Sequence, residues 1–235
     1  MSSEIQKAQS ETGLAVANVT ALQVASNFDD SIFGGIAGSR ASFFPRLQLF
    51  TSNSEQCKQG KIAVATYGLI KSKDELVPLG KNVIAVVVAW RAKAMFVKSD
   101  PPLAYHNAKS EEFQQIKRRA DADSNSGNLY GPEYLLFIEE HGFVTFFMGS
   151  KTARNEAGAV KALCPGADGR LKCGNFGSVY ITGKEHSWHG PKVVVSAQTV
   201  TLPEQAALDT AVADFLNPVD STAEAAEAGA VNADR

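Results

Sequence analysis

Residues 83–97 read Val83-Ile84-Ala85-Val86-Val87-Val88-Ala89-Trp90-Arg91-Ala92-Lys93-Ala94-Met95-Phe96-Val97. The run is rich in β-branched residues, which suit a pleated surface and lose rotamer freedom in a helix. Its longest apolar stretch, Val83 to Trp90, is strand-sized and well short of the roughly 20 apolar residues a membrane helix needs. A strand this long does not stay flat, so it is expected to bend strongly or to be two strands meeting near Trp90. Alternation along the pleat puts Arg91 and Lys93 on one face and Trp90 on the other, unless a bend brings them together. Pro101-Pro102 ends the segment.

Working outward, Pro45 to Phe50 alternates like a strand near a sheet edge, and Lys61 to Ile70 is a second strand with Gly68 a candidate bulge. Ser110 to Ala120 is the clearest helix, with Ser110 as N-cap, acids in its first turn and bases in its last. Asp121 to Gly131 is expected as a loop. Tyr134 to Ile138 and Phe143 to Met148 form a hairpin through Glu139-Glu140-His141-Gly142. Lys151 to Leu163 is a short helix stopped by Cys164-Pro165-Gly166. Phe176 to Gly183 and Lys192 to Leu202 are two more strands. Pro203 opens an amphipathic helix carrying Ala207, Leu208, Ala211, Val212 and Phe215 at helical spacing. Six or seven strands without regular βαβ alternation point to a mainly β, α+β chain: an antiparallel sheet closed or half-closed into a barrel, with inserted helices. The expected organisation is a flexible leader over 1–40, a β-barrel core over 41–202, a C-terminal amphipathic helix over 203–217 and a disordered acidic tail over 218–235.

The net charge of −2 conceals a segregation: residues 40–200 carry 21 Lys/Arg against 14 Asp/Glu, while residues 201–235 carry seven acids and one base. A basic centre with an acidic end suits a polyanion-binding domain whose tail competes for its own groove. The N-terminus lacks the basic-then-apolar order of a signal peptide, so a cytoplasmic location is expected. Three cysteines, Cys57, Cys164 and Cys173, cannot all pair within one chain, which fits a reducing compartment.

Basic residues interleave with aromatics. Arg46 lies at the first strand, Trp90, Arg91 and Lys93 on the long one, and Lys151 and Arg154 one helical step apart at a helix start whose backbone N–H groups favour a phosphate. Tyr105, Tyr130, Tyr180 and Trp188 fall in or near loops, where bases can stack. For any one of these residues, a core aromatic or a solvated cation is the simpler reading; the set carries the argument. Lys117, Arg118 and Arg119 are weaker candidates, because a helix C-terminus attracts bases through its dipole alone. Cys164, Cys173, His186 and His189 make a possible zinc set of two thiolates and two imidazoles, although the spacing matches no usual zinc motif.

Gly149-Ser150-Lys151-Thr152 mimics the end of a phosphate-binding loop, but Val144-Thr145-Phe146-Phe147-Met148 stands where the glycine-rich loop belongs, which argues against nucleotide hydrolysis. No G-x-S-x-G elbow occurs, and Glu111-Glu112 and Glu139-Glu140 are sequence neighbours whose side chains diverge. The chain is therefore expected not to be an enzyme and to need no cofactor.

The segments Ala89-Trp90-Arg91-Ala92-Lys93-Ala94-Met95, Tyr130-Gly131-Pro132-Glu133-Tyr134-Leu135 and Gly149-Ser150-Lys151-Thr152-Ala153-Arg154 look like those of small phage proteins. The layout as a whole resembles phage single-stranded DNA-binding proteins built on the OB-fold, by texture over 43–202 and by charge over 203–235. That resemblance implies an OB-like barrel, a sequence-tolerant grip on single-stranded DNA in the host cytoplasm, and a role in phage replication or recombination. Arg and Lys would track phosphates while aromatics stack bases. Tails of that family that dock onto replication proteins commonly end in an aromatic residue after a dense acidic run. This chain ends Ala230-Val231-Asn232-Ala233-Asp234-Arg235, so tail-mediated docking fits less well than autoinhibition, which needs only charge. Two other expectations stand beside it. One is an accessory protein that forms a homo-oligomer by burying strand 83–97 or helix 203–216; the other is a small zinc module.

Overall fold

A computed structural model describes residues 44–72, 75–99, 102–167, 169–184 and 187–217. The leader expected over 1–40 and the acidic tail expected over 218–235 lie outside these residues. The elements are β1 (Arg46–Phe50), α1 (Glu55–Lys58), β2 (Thr66–Ile70), β3 (Leu76–Gly80), β4 (Val83–Phe96), β5 (Leu103–Tyr105), α2 (Glu111–Ala122), β6 (Asn128–Ile138), β7 (Gly142–Phe147), α3 (Lys151–Lys161), β8 (Cys173–Thr182), β9 (Ser187–Val195) and α4 (Gln205–Leu216). The architecture is mainly β with a few helices.

All nine strands join one sheet in the order β3-β2-β1-β7-β6-β4-β8-β9, with β5 pairing on β4. One feature corrects the expected antiparallel sheet, and one selects the half-closed alternative over a closed OB-like barrel. The β1–β7 pair is parallel, which makes the sheet mixed, and the strand order runs open from β3 to β9 among the described residues. A parallel neighbour needs a crossover, and the chain between β1 and β7 supplies it by building β2 to β6 first.

β4 is the spine. It pairs with β6 over most of its length, with β8 at its start and with β5 at its end. The expected bend is a register shift between Val87 and Ala89. Its consequence is a change of parity. Before the shift, Val83, Ala85 and Val87 join the core cluster that holds Tyr134, Leu136 and Phe176, and Trp90 packs on that cluster after it. Val86, Val88 and Ala89 belong to the opposite cluster, with Leu135 and Phe137. The extra residue of the bulge thus places Arg91 and Lys93 on the second face, opposite Trp90.

The first face is covered by α2 and α3. Phe113 and Ile116 of α2 pack on Ala94, and Ala153, Ala157 and Val160 of α3 pack on the main cluster. Ser110 and Ser150 cap these helices by accepting from the Phe113 and Ala153 N–H groups, each at 3.2 Å. The second face is covered by α4, whose Leu208, Ala211, Val212 and Phe215 repeat at helical spacing and are all buried.

Several boundaries move. The second expected strand begins at Thr66 rather than Lys61, and Gly68 does sit at a register irregularity between β2 and β3. A Cβ there would crowd Ile62, Leu76 and Phe50, which explains the glycine. Much of the expected 121–131 loop is absorbed by the end of α2 and by Asn128 to Gly131 of β6, which extend the long β4 ladder. β3, β5 and α1 were not anticipated; β3 carries an internal proline, which demotes a strand signal, and β5 has only three residues, too few for alternation to show. The last strand spans Ser187–Val195, and the chain leaves the sheet before Leu202.

Strand 83–97 and helix 203–216, the surfaces expected to bury themselves in an oligomer, are used within the chain: β4 is internal to the sheet and the apolar side of α4 lies on it. No helix among the described residues is long and apolar enough to cross a membrane.

Candidate nucleic-acid interface

The sheet divides the basic and aromatic residues picked from sequence into two groups. Arg91 and Lys93 lie on the α4 face, and the register of β1 against β7 puts Arg46, beside Thr145, on that face too. Trp90, Tyr105, Tyr130, Lys151 and Arg154 gather on the side of α2 and α3. Trp188 is on β9, half-buried, with an indole nitrogen that has no hydrogen-bond partner.

On the α4 face Arg46 is exposed, while Arg91 and Lys93 are spent internally. Arg91 is 9% exposed and Glu133 1% exposed. The Arg91 guanidinium binds Glu133 Oε2, while Lys93 Nζ reaches Oε1 at 2.6 Å. Arg91 also lies 4.2 Å above the Phe215 ring and donates to the Phe215 carbonyl. Burial pushes the Glu133 carboxyl up, but Lys93 and Arg91 more than offset it and hold it at about 2. Burial also drives His106 beside them down to about 3, with the Arg91 charge acting in the same direction. This is a buried ionic knot that pins α4 to the sheet; Arg91 cannot reach a phosphate without breaking it. The sequence placed these cations on the correct face but gave no sign of Glu133, their partner from a strand 42 residues on.

On the α3 side the groups are more accessible. Gly149 and Ser150 turn the end of β7 into α3, so the Lys151 and Thr152 N–H groups open the helix, ahead of any residue that can bond within it. Lys151 is exposed. Arg154 serves as a clasp: Nη1 donates to the carbonyls of Tyr130 (3.0 Å) and Gly149 (2.7 Å), and its guanidinium lies 4.0 Å over the Tyr130 ring. Tyr130 in turn donates to Asp121 Oδ1 at 2.7 Å. Further along α3, Lys161 lies 4.6 Å over the Trp90 ring. Trp90, Tyr130, Tyr134 and Lys161 help line an apolar hollow of about 330 Å³ between α2 and α3.

The β8–β9 hairpin runs beside the same helix. A Cβ on Gly190 would come within 2.7 Å of Thr152 Cγ2, so the glycine lets the strand backbone approach the helix start. Lys192 pairs with Glu156 at 3.1 Å. Tyr180, 62% exposed, packs against His189 at a centroid distance of 5.1 Å, with the ring planes tilted by 58°. Lys161 was not among the residues chosen for binding, and His189 was chosen only as a zinc ligand; Tyr180 was named as a ring on which a base could stack. Lys161 was visible in principle, one heptad from Arg154 on the same helical stripe.

The expected zinc set is not brought together. Cys164 packs with the α3-side cluster and Cys173 with the α4-side cluster, and His186 lies outside the described residues. Burial pushes the Cys164 thiol up to about 12 and raises Cys173, which favours the protonated thiols over metal-ligating thiolates. Among the described residues no three His, Cys, Asp or Glu side chains converge as a metal site.

No protein family, curated protein or solved structure matches the chain.

Proposed function

We propose that this chain is a sequence-tolerant single-stranded DNA-binding protein whose strand runs along the exposed side of α3. The observation that carries the reading is convergence: Lys151 and Lys161 of α3, Trp90 of β4 and Tyr130 of β6 border one helix, and the hairpin that carries the Tyr180–His189 pair runs beside it, though these come from four separate stretches of chain. Cations along a helix with half-buried rings beside it combine phosphate neutralisation with base stacking, the two terms that hold a single strand without reading its sequence. Arg46, Arg91 and Lys93 are left out of this interface. The reading needs neither a closed OB-like barrel nor a metal. A phage replication or recombination setting belongs to the same proposal and rests on the sequence resemblance alone.

The test is fluorescence anisotropy with single- and double-stranded oligonucleotides at two salt concentrations. Preference for the single strand, a steep loss of affinity with salt, and tighter binding after removal of residues 218–235 are expected. Salt-insensitive binding, or none at low salt even without the tail, would discard the proposal.

A second reading, a homo-oligomeric accessory subunit, is favoured by one feature: Val194 and Val195 are exposed on β9, at the end of the strand order. Light scattering would support it by showing a stable oligomer indifferent to added DNA.

A further inference from the structure

Between the end of α2 and the start of α3 lies a cleft of about 490 Å³, within the size range of small-molecule sites. Its two walls differ in chemistry. The α3 wall supplies donors: the helix-opening N–H groups of Lys151 and Thr152, the Lys151 ammonium and the positive end of the helix dipole. The α2 wall supplies acceptors: the Asp121 carboxylate and the Ser124 hydroxyl, with the carbonyl end of that helix behind them. Asn128 contributes to the lining between them. It is 4% exposed, and its carboxamide oxygen is buried without a hydrogen-bond partner. A buried acceptor left unpaired is costly, and here it belongs to a side chain that lines the cleft.

An anion alone would satisfy the α3 wall and be repelled by the other. The complementary ligand is anionic at one end and carries a hydrogen-bond donor a few atoms away. We propose that the cleft binds a nucleotide unit through its 5′-phosphate and free 3′-hydroxyl, the phosphate at the start of α3 and the hydroxyl donating toward Asn128 and Asp121. Two sources present that chemistry: the 3′ end of a DNA strand, and a free nucleoside 5′-monophosphate. A nucleotide inside a strand does not, because its 3′ oxygen is esterified. The inference builds on the proposed strand-binding face, with which it shares Lys151, and adds a preference for strand ends.

The experiment uses the full chain, thymidine 5′-monophosphate, thymidine, inorganic phosphate, and one oligonucleotide made with either a 3′-hydroxyl or a 2′,3′-dideoxy end. The 3′-hydroxyl oligonucleotide is expected to bind about two- to tenfold tighter than the dideoxy form, the range one added hydrogen bond supplies. Asn128→Leu should abolish that preference while leaving dideoxy binding unchanged. Lys151→Glu, at an exposed position, should weaken thymidine 5′-monophosphate and oligonucleotides together, and it keeps the test open if the buried substitution fails to fold. A monophosphate that binds more tightly than both phosphate and thymidine supports the free-nucleotide source; an end preference confined to the oligonucleotide supports the strand-end source. Equal binding of phosphate and monophosphate, with no end preference, would overturn the pocket while leaving strand binding intact. Monophosphate binding with no oligonucleotide binding would overturn the strand reading and leave the pocket standing.

Discussion

Arg91 and Glu133 face each other across the β4–β6 ladder and meet twice at one oxygen, Nε to Oε2 at 2.8 Å and Nη2 to Oε2 at 2.7 Å. Lys93 takes the other oxygen, so the buried carboxylate is compensated on both sides. Removing the acid strands two cations in a low-dielectric site. Glu133→Ala is expected to cost on the order of 3–5 kcal/mol, read as a fall in the urea midpoint at neutral pH. A change below about 1 kcal/mol would mean that the pair is no stronger than an exposed one.

The same knot sets the acid response. Glu133 titrates at about 2 in the fold against a reference of 4.5, so its stabilisation is complete above 4.5 and is lost as pH falls toward 2. His106 titrates at about 3 against 6.5, so the unfolded chain takes its proton first and stability falls as pH drops from 6.5 toward 3. Both groups act in one direction. Urea midpoints should decline from about pH 6.5 downward, and His106→Gln should flatten the first part of that decline. Identical slopes for the two proteins between pH 6.5 and 5 would remove His106 from the account.

Phe215 links α4 to the knot, with its ring fully buried beneath the Arg91 guanidinium. Phe215→Ala opens a cavity and removes the cation–π contact, at an expected cost of roughly 3–5 kcal/mol. Proteolysis should then release α4 earlier than the sheet. Simultaneous loss of both would mean that α4 and the sheet unfold as one unit.

Gly131 sits on β6 where a Cβ would strike the Met148 carbonyl. Because the obstruction is backbone, it cannot rotate away. Gly131→Ala should destabilise by about 1–3 kcal/mol or more and displace Tyr130 from Arg154, visible as a change in tyrosine fluorescence. Wild-type stability would show that β6 can shift freely at this point.

For the proposed strand face, Lys151→Ala and Lys161→Ala should each weaken oligonucleotide binding on every sequence and reduce the magnitude of the salt slope by about 0.7. Tyr180→Ala should cost about 1–3 kcal/mol of binding without altering the slope, because stacking releases no counterion. An unchanged salt slope in both lysine variants would place the strand elsewhere.

How much of this was legible depended on range. Ser110 was readable as a cap because a cap is decided within four residues. The α4 stripe and the opposition of Arg91 to Trp90 followed from local periodicity. The bulge was legible only as the necessity of a bend. The zinc set failed because Cys164 and Cys173, though close in sequence, lie against opposite faces of the sheet. In the candidate site, Lys151 and Arg154 were found through their shared helix. Lys161 and Asn128 were not, because their relevance comes from neighbours contributed by other strands.

The sequence by itself determined which segments pair or coil, since alternation, capping and turn chemistry act between near neighbours. It also placed cations and rings in the same part of the chain. Only the tertiary structure decided which cations stay available. The parity change at Val87–Ala89 turned Arg91 and Lys93 toward Glu133, where burial makes charge pairing compulsory, and left Lys151 and Lys161 on a helix bordered by aromatic rings. A one-residue shift reverses every side chain beyond it, so the fate of each charge was fixed by strand register, a long-range property that no local pattern encodes.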